Sequence, residues 1–185
     1  FVDTAAAAVE AARAFGFPVV LKAHPPEVTH KSDLGLVKVG LADAAQVEAA
    51  FADLAPRAGG APVQVQQQIA GGVELILGVS LDPALGPALL VGLGGVYAEV
   101  LRDVSVRPLP ITERDAYEML DALRGRPLLD AVRGRPAVDR AAVVAVMLDL
   151  ARLAWEQPVV ELDLNPVVAG PDGVVAVDSV IVVAA

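Results

Sequence analysis

Two apolar stretches, "GGVELILGVSLDP" and "ALLVGLGG", stand only four residues apart, with "ALGP" between them. They read as two long strands of one sheet, joined by a connection that contains Gly86 and Pro87. The end of the chain repeats the theme. "PVVELDLNPVVAG" and "VVAVDSVIVV" flank "PDG", a good hairpin signal between apolar runs. Helical segments lie among these strands. "VDTAAAAVEAARAFG" carries Asp3 or Thr4 as its cap and Gly16 as its stop. A second helix begins near Asp43, and Thr112 with Asp115 three residues on forms a capping-box pattern. Another helix spans about 139–155, with Val143, Val146, Leu150 and Leu153 on one face. "FPVVLKA", "LVKVGL", "PVQVQQQI" and "DVSVRPLPI" add shorter strands. Hairpins beside strand–helix units favour an α+β fold with a substantial antiparallel sheet over a doubly wound parallel one.

A chain of 185 residues is one large domain or two small ones, with enough length for a real core. No unbroken apolar run reaches the roughly 18 residues needed to cross a bilayer, so no membrane role is expected. The formal charge of −9 argues against nucleic acid as a partner, because phosphate backbones attract clustered Lys and Arg. It leaves room for a nucleotide that arrives with its own divalent cation. The absence of cysteine removes disulfides, thiol nucleophiles and thiolate metal sites. With no signal peptide either, a cytoplasmic location is expected. A start at Phe1 without methionine suggests a piece of something longer.

Both histidines fall in "KAHPPEVTHKSDLGLVK", after the first strand. Lys22 closes that strand, where a lone ammonium needs an anionic partner. It reads either as a lysine snorkelling at a strand end or as a phosphate clamp, with amides near Ser32 to Gly35 forming an anion nest. His30 reads either as a surface hydrogen-bonding residue or as a nucleophile for a phosphoryl group, with Lys31 and Lys38 neutralising the charge. Neither Gly-x-x-x-x-Gly-Lys-Ser/Thr nor Gly-x-Gly-x-x-Gly occurs. Further on, Glu161, Asp163 and Asn165 alternate along one strand and share a face. Asp178 lies across the "PDG" turn, where pairing brings it beside Asn165. A few hard oxygen ligands from adjacent strands suit Mg²⁺ that also carries water and phosphate. The alternative is two strand ends with solvated carboxylates, which the surrounding Val and Leu disfavour. Glu74 stands alone in an apolar strand. The glycines of "GLGG" either permit a tight turn or let backbone approach a nucleotide.

Three stretches, "GFPVVLKAHPPEVTHKSDLGLVKVGL", "GGVELILGVSLDPALGPALLVGLGGVYAEVLRDVSVRPLPIT" and "ELDLNPVVAGPDGVVAVD", carry a resemblance that covers nearly the whole chain. Together they resemble the ATP-grasp domain of ADP-forming acyl-CoA synthetases, relatives of the succinyl-CoA synthetase β subunit. The resemblance implies an ATP-grasp fold of largely antiparallel sheets with flanking helices and a nucleotide cleft between two lobes. About 1–69 would form the smaller lobe with the phosphate flap, and about 70–185 the larger lobe with the Mg²⁺ site. It implies that Lys22 contacts the phosphates of ATP and that His30 to Gly35, including Ser32 and Asp33, forms a flap above them. Gln66, with Gln67 to Ile69, becomes the hinge whose backbone reads adenine. Glu74 bonds the ribose, and Asn165 and Asp178 ligate Mg²⁺. His30 lies in the "HKSD" motif, where a phosphoryl group is taken as phosphohistidine.

The implied activity is acid + CoA + ATP = acyl-CoA + ADP + phosphate. CoA-binding and ligase modules would come from the same protein or a partner subunit, and the domain alone would be inactive. Two departures matter. Leu36 replaces a flap glycine, which suggests a stiffer flap, and the hinge carries glutamine where relatives have glutamate. The runner-up is a regulatory, synthetase-like domain of a GNAT-fused protein acetyltransferase, which Leu36 favours. A third reading is an ATP-grasp ligase joining a carboxylate to an amine. Nothing in the sequence identifies the acyl group.

Overall fold

Thr4 starts the first helix, α1 (Ala5–Phe15), by accepting the Ala7 N–H on its hydroxyl at 3.2 Å. Gly16, at φ 81°, ends it by returning its N–H to the Ala12 carbonyl, a conformation that glycine adopts without strain. The computed structural model describes residues 1–25, 34–84, 86–95 and 101–184. The chain divides into two units, Phe1–Gln68 and Ile69–Ala185. His30, Lys31, Ser32 and Asp33 lie outside the described residues, so the expectations for them are carried forward below.

The first unit holds β1 (Val19–Ala23), β2 (Val37–Leu41), α2 (Ala44–Leu54), a short 3-10 turn (Ala55–Arg57) and β3 (Val63–Gln67). Asp43 caps α2, accepting the Gln46 N–H at 2.8 Å. The three strands form a sheet in the order β2-β1-β3, antiparallel throughout. Side chains alternate along β1. Val19, Leu21 and Ala23 join Ala8, Val9 and Ala12 of α1 and Val47, Phe51 and Leu54 of α2 in one core. Each large apolar side chain so buried contributes about 1.5–3 kcal/mol. Val20 and Lys22 take the opposite face, across from Gln66 and Gln64, and Lys22 is still only 7% exposed.

The second unit contains β4 (Val73–Asp82), β5 (Gly86–Leu93), β6 (Val104–Pro108), α3 (Glu113–Asp121), a 3-10 turn (Arg126–Leu129) and α4 (Arg140–Glu156). It ends with β7 (Val159–Gly170), β8 (Gly173–Ala176) and β9 (Ser179–Val183). The sheet runs β6-β5-β4-β7-β8, with β9 also paired to β7, and every pairing is antiparallel. Leu75, Leu77, Leu89, Val91, Leu162 and Val167 pack with Met119 and Leu120 of α3 and Val143, Met147 and Leu150 of α4. At alternate positions of β4, Glu74 and Ser80 point to the other face and are exposed.

Three expectations need correction. Gly86 and Pro87 belong to β5, with Gly86 paired to Asp82, so the connection is shorter than the sequence suggested. "VVAVDSVIVV" is two strands, because the ladder is interrupted at Val177 and Asp178. On α4 the buried stripe is Val143, Val144, Met147, Leu150, Ala151 and Ala154, while Leu153 is 38% exposed. Spacings of four and three from Val143 follow the 3.6-residue period, whereas Leu153 drifts off the stripe.

Candidate functional site

In the first unit the polar groups gather on the face of the sheet that carries Lys22. Gln64 stands opposite Lys22, and Gln66 opposite Val20. His24, just past the strand, has its Nε2 2.8 Å from the Gln64 Oε1. Gln64 is a member of this cluster that the sequence reading missed, since only the β1–β3 register puts it beside Lys22. Lys22 lies on the central strand of this sheet and is largely buried.

The end of the loop after β1 is tied down from below. Arg57 donates to the carbonyls of Leu34 and of Gly35, the latter at 3.2 Å. Gly35 has φ 64°, and a Cβ there would come within 3.6 Å of the same guanidinium. Leu36 is 4% exposed and belongs to the core of this unit, its carbonyl accepting the Ala23 N–H. Leu36, the residue expected to stiffen the flap, thus places its side chain in the core of this unit. Lys38 is also committed, 2.7 Å from Asp53. Its hydrogen bond, followed by the charges of Lys38 and Arg57, holds the Asp53 carboxyl below the usual range despite some desolvation. Lys38 thus serves an ion pair here.

Gln66 and Gln67 end β3, paired with Val20 and Val19. The Gln68 N–H donates to the Pro18 carbonyl at 3.2 Å, while its side chain accepts the Gly40 N–H at 2.6 Å. Ile69 is the first residue of the second unit and half-buried.

In the second unit Glu74 is exposed, near the start of β4. Its carbonyl accepts the Gly94 N–H at 2.7 Å. A Cβ on Gly95 would stand 2.5 Å from the Glu74 Oε2, and Gly95 has φ 61°. Gly94 and Gly95 thus make room for Glu74, a close approach of backbone to side chain within the protein itself.

Asn165 and Asp178 are neighbours, as the hairpin register required: the Asn165 N–H donates to the Asp178 carbonyl at 3.2 Å. On the β4 side, Leu75 pairs with Val167 but Leu77 with Leu164, so Asn165 and Pro166 together oppose Ile76. This is a β-bulge, the position where a strand tolerates a proline that cannot donate to the ladder. Asp163 lies two residues back, opposite Gly78. Burial pushes its carboxyl up. A hydrogen bond from Asn165 works against this, and the charges of Glu161 and Asp178 add to the rise. Among the described residues no three His, Cys, Asp or Glu side chains form a cluster able to hold a metal by themselves. The donors here are instead two adjacent side chains, Asn165 and Asp178, beside a half-buried carboxylate that a cation would relieve. That donor set fits a hard divalent ion sharing its remaining positions with water and phosphate.

The chain matches the ATP-grasp domain family over residues 1–183 and belongs to it. It is 42% identical to acetate–CoA ligase (ADP-forming) II of Archaeoglobus fulgidus, over 99% of this chain and 27% of that protein. It is 35% identical to the β subunit of acetate–CoA ligase (ADP-forming) I of Pyrococcus furiosus, over 93% of this chain and 78% of that subunit. The chain thus spans about a quarter of the Archaeoglobus protein. Among solved structures, acetyl-coenzyme A synthetase 1 of Ca. Korarchaeum cryptofilum, in complex with coenzyme A and Ca-AMPCP, matches with a TM-score of 0.91. The identity is 38%, over 99% of this chain and 83% of that chain. The same synthetase with coenzyme A and Mg-AMPPCP matches with a TM-score of 0.83 and 40% identity, over 96% of this chain and 81% of that one.

Proposed function

We propose that this chain is the Mg·ATP-binding domain of an ADP-forming acyl-CoA synthetase, which catalyses acid + CoA + ATP = acyl-CoA + ADP + phosphate. The observation that carries the reading is the Asn165–Asp178 pair with Asp163 beside it. The Archaeoglobus and Pyrococcus relatives, named as ADP-forming acetate–CoA ligases, support it.

Lys22 is the phosphate contact. Buried at a strand end, it offers a fixed positive charge to an anionic group. Gln66 to Ile69 present backbone groups to the adenine, and Glu74 accepts from the ribose hydroxyls. Ser32, Asp33 and Gly35 belong to the loop that closes on the phosphates, with Arg57 anchoring its end at Leu34 and Gly35. Asn165 and Asp178 would hold Mg²⁺, which supplies charge neutralisation on the phosphate oxygens when bound. Phosphoryl transfer asks for positioning and neutralisation rather than covalent assistance. His30 is the acceptor: its unprotonated ring nitrogen forms an N–P bond as the bond from the γ-phosphorus to the bridging oxygen breaks, and ADP leaves with that electron pair.

The CoA and acid chemistry is assigned to CoA-binding and ligase modules outside this chain, in the same protein or a partner subunit. The short coverage of the Archaeoglobus relative supports that division. The regulatory reading draws no support from the Archaeoglobus and Pyrococcus relatives, which are named as ligases. In the full-length protein, His30→Ala is expected to abolish ATP formation from acyl-CoA, ADP and phosphate while leaving the circular dichroism spectrum unchanged. Turnover at the wild-type rate would remove His30 from the mechanism.

A further inference from the structure

We infer that Asp103 is a positioning residue for nucleotide binding, holding the Gly94–Gly95 backbone against Glu74 and so fixing the carboxylate that meets the ribose. The inference rests on the reading of Glu74 given above. Asp103 is 4% exposed, and a carboxylate taken out of water is costly unless its oxygens are satisfied. One oxygen accepts the Arg124 N–H at 2.9 Å and the other the Gly125 N–H at 2.7 Å. Arg124 adds its guanidinium, with Nε 3.6 Å from Asp103 and Nη2 donating to the Leu101 carbonyl at 2.7 Å. The turn after α3 is thereby stapled to the entry of β6.

From Asp103 a short path leads to Glu74. The Asp103 carbonyl accepts the Leu93 N–H at 3.1 Å, and the next residue, Gly94, donates to the Glu74 carbonyl at 2.7 Å. A Cβ on Gly94 would lie 3.0 Å from the Glu74 carbonyl carbon, and one on Gly125 would meet the Leu93 Cδ1 at 2.2 Å. Leu93 is therefore gripped on one side by Gly125 and on the other by Asp103, one residue before the glycines that bound the Glu74 carboxylate. The path thus links Asp103 to the backbone that lies against the Glu74 carboxylate.

Calorimetric titration with Mg·ATP and with its analogue lacking both ribose hydroxyls separates positioning from simple support. The wild-type protein is expected to prefer ATP by about tenfold, the worth of a lost charge-assisted hydrogen bond. Glu74→Gln is expected to bring that preference close to one, and Asp103→Asn to reduce it to about threefold or less. A preference unchanged in Asp103→Asn, whatever the loss of overall affinity or melting temperature, overturns the inference and leaves the role of Glu74 standing. No preference in the wild type, or one untouched by Glu74→Gln, overturns that role and the inference with it. Should Asp103→Asn not fold, Asp103→Glu, which keeps the charge but displaces the carboxylate from the Arg124 and Gly125 N–H groups, carries the comparison: a reduced preference supports the inference and an unchanged one overturns it.

Discussion

Asp178 and Asp103 are both half-hidden or hidden acids, yet only one was legible in the chain. Asp178 was visible because "PDG" fixes a hairpin register, and register alone puts it beside Asn165. Asp103 sits before an alternating strand like any strand-end charge. Its partners, Arg124 and Gly125, are more than twenty residues away, and no local pattern joins them. Gln64 escaped for the same reason, its neighbours being set by β1–β3 pairing. Leu36 read as a departure from a glycine pattern, and its membership of the core was not visible in the sequence because no local pattern shows that the side chain turns inward. The buried anion makes a distinct pH prediction. Burial alone would push the Asp103 carboxyl up, but the Gly125 and Arg124 N–H groups and the Arg124 charge together hold it below its ordinary 3.8. The folded state then binds the proton less readily than the unfolded chain. Stability from this group is present above pH about 4 and is lost as the pH falls below that value. In urea titrations Asp103→Asn is expected to lower stability at pH 7 by about 1–3 kcal/mol. That difference is expected to shrink toward pH 3, and a constant difference across the range would contradict the assignment.

Helices and strands were mostly legible, because their signals are local. Thr4, Asp43, Thr112 and Asp139 each cap a helix with their own side chains, and each helix start follows from such a residue before an alanine-rich or charged run. Thr112 and Asp115 form the full capping box, each side chain accepting the other's N–H, and Arg107 pairs with Asp115. Thr112→Ala is expected to lower the stability of the protein by about 1 kcal/mol, read as a shift of the urea midpoint with no change in slope. A midpoint equal to that of the wild type would mean that the box contributes nothing. What the pattern could not locate was the break between β8 and β9. "VVAVDSVIVV" is uniformly β-prone, and the interruption comes from the opposite strand, where Asn165 and Pro166 bulge out of register with β4. The same bulge that hid the break is what sets Asn165 apart from the regular ladder.

The residues proposed for nucleotide binding fall in both units: the buried Lys22 in Phe1–Gln68, and the Asn165–Asp178 pair with Glu74 in Ile69–Ala185. This is why composition, with its net negative charge, said so little about the ligand, and why family membership says more than any single motif. It also locates the test. Isothermal calorimetry with Mg·ATP should give saturable binding to the wild-type protein. Lys22→Met and Asp178→Ala should each weaken that binding at least about tenfold, as expected for removing one charged partner of a bound phosphate or metal. Wild-type protein that takes up no nucleotide at millimolar concentration, or two variants that bind as the wild type does, would contradict the account.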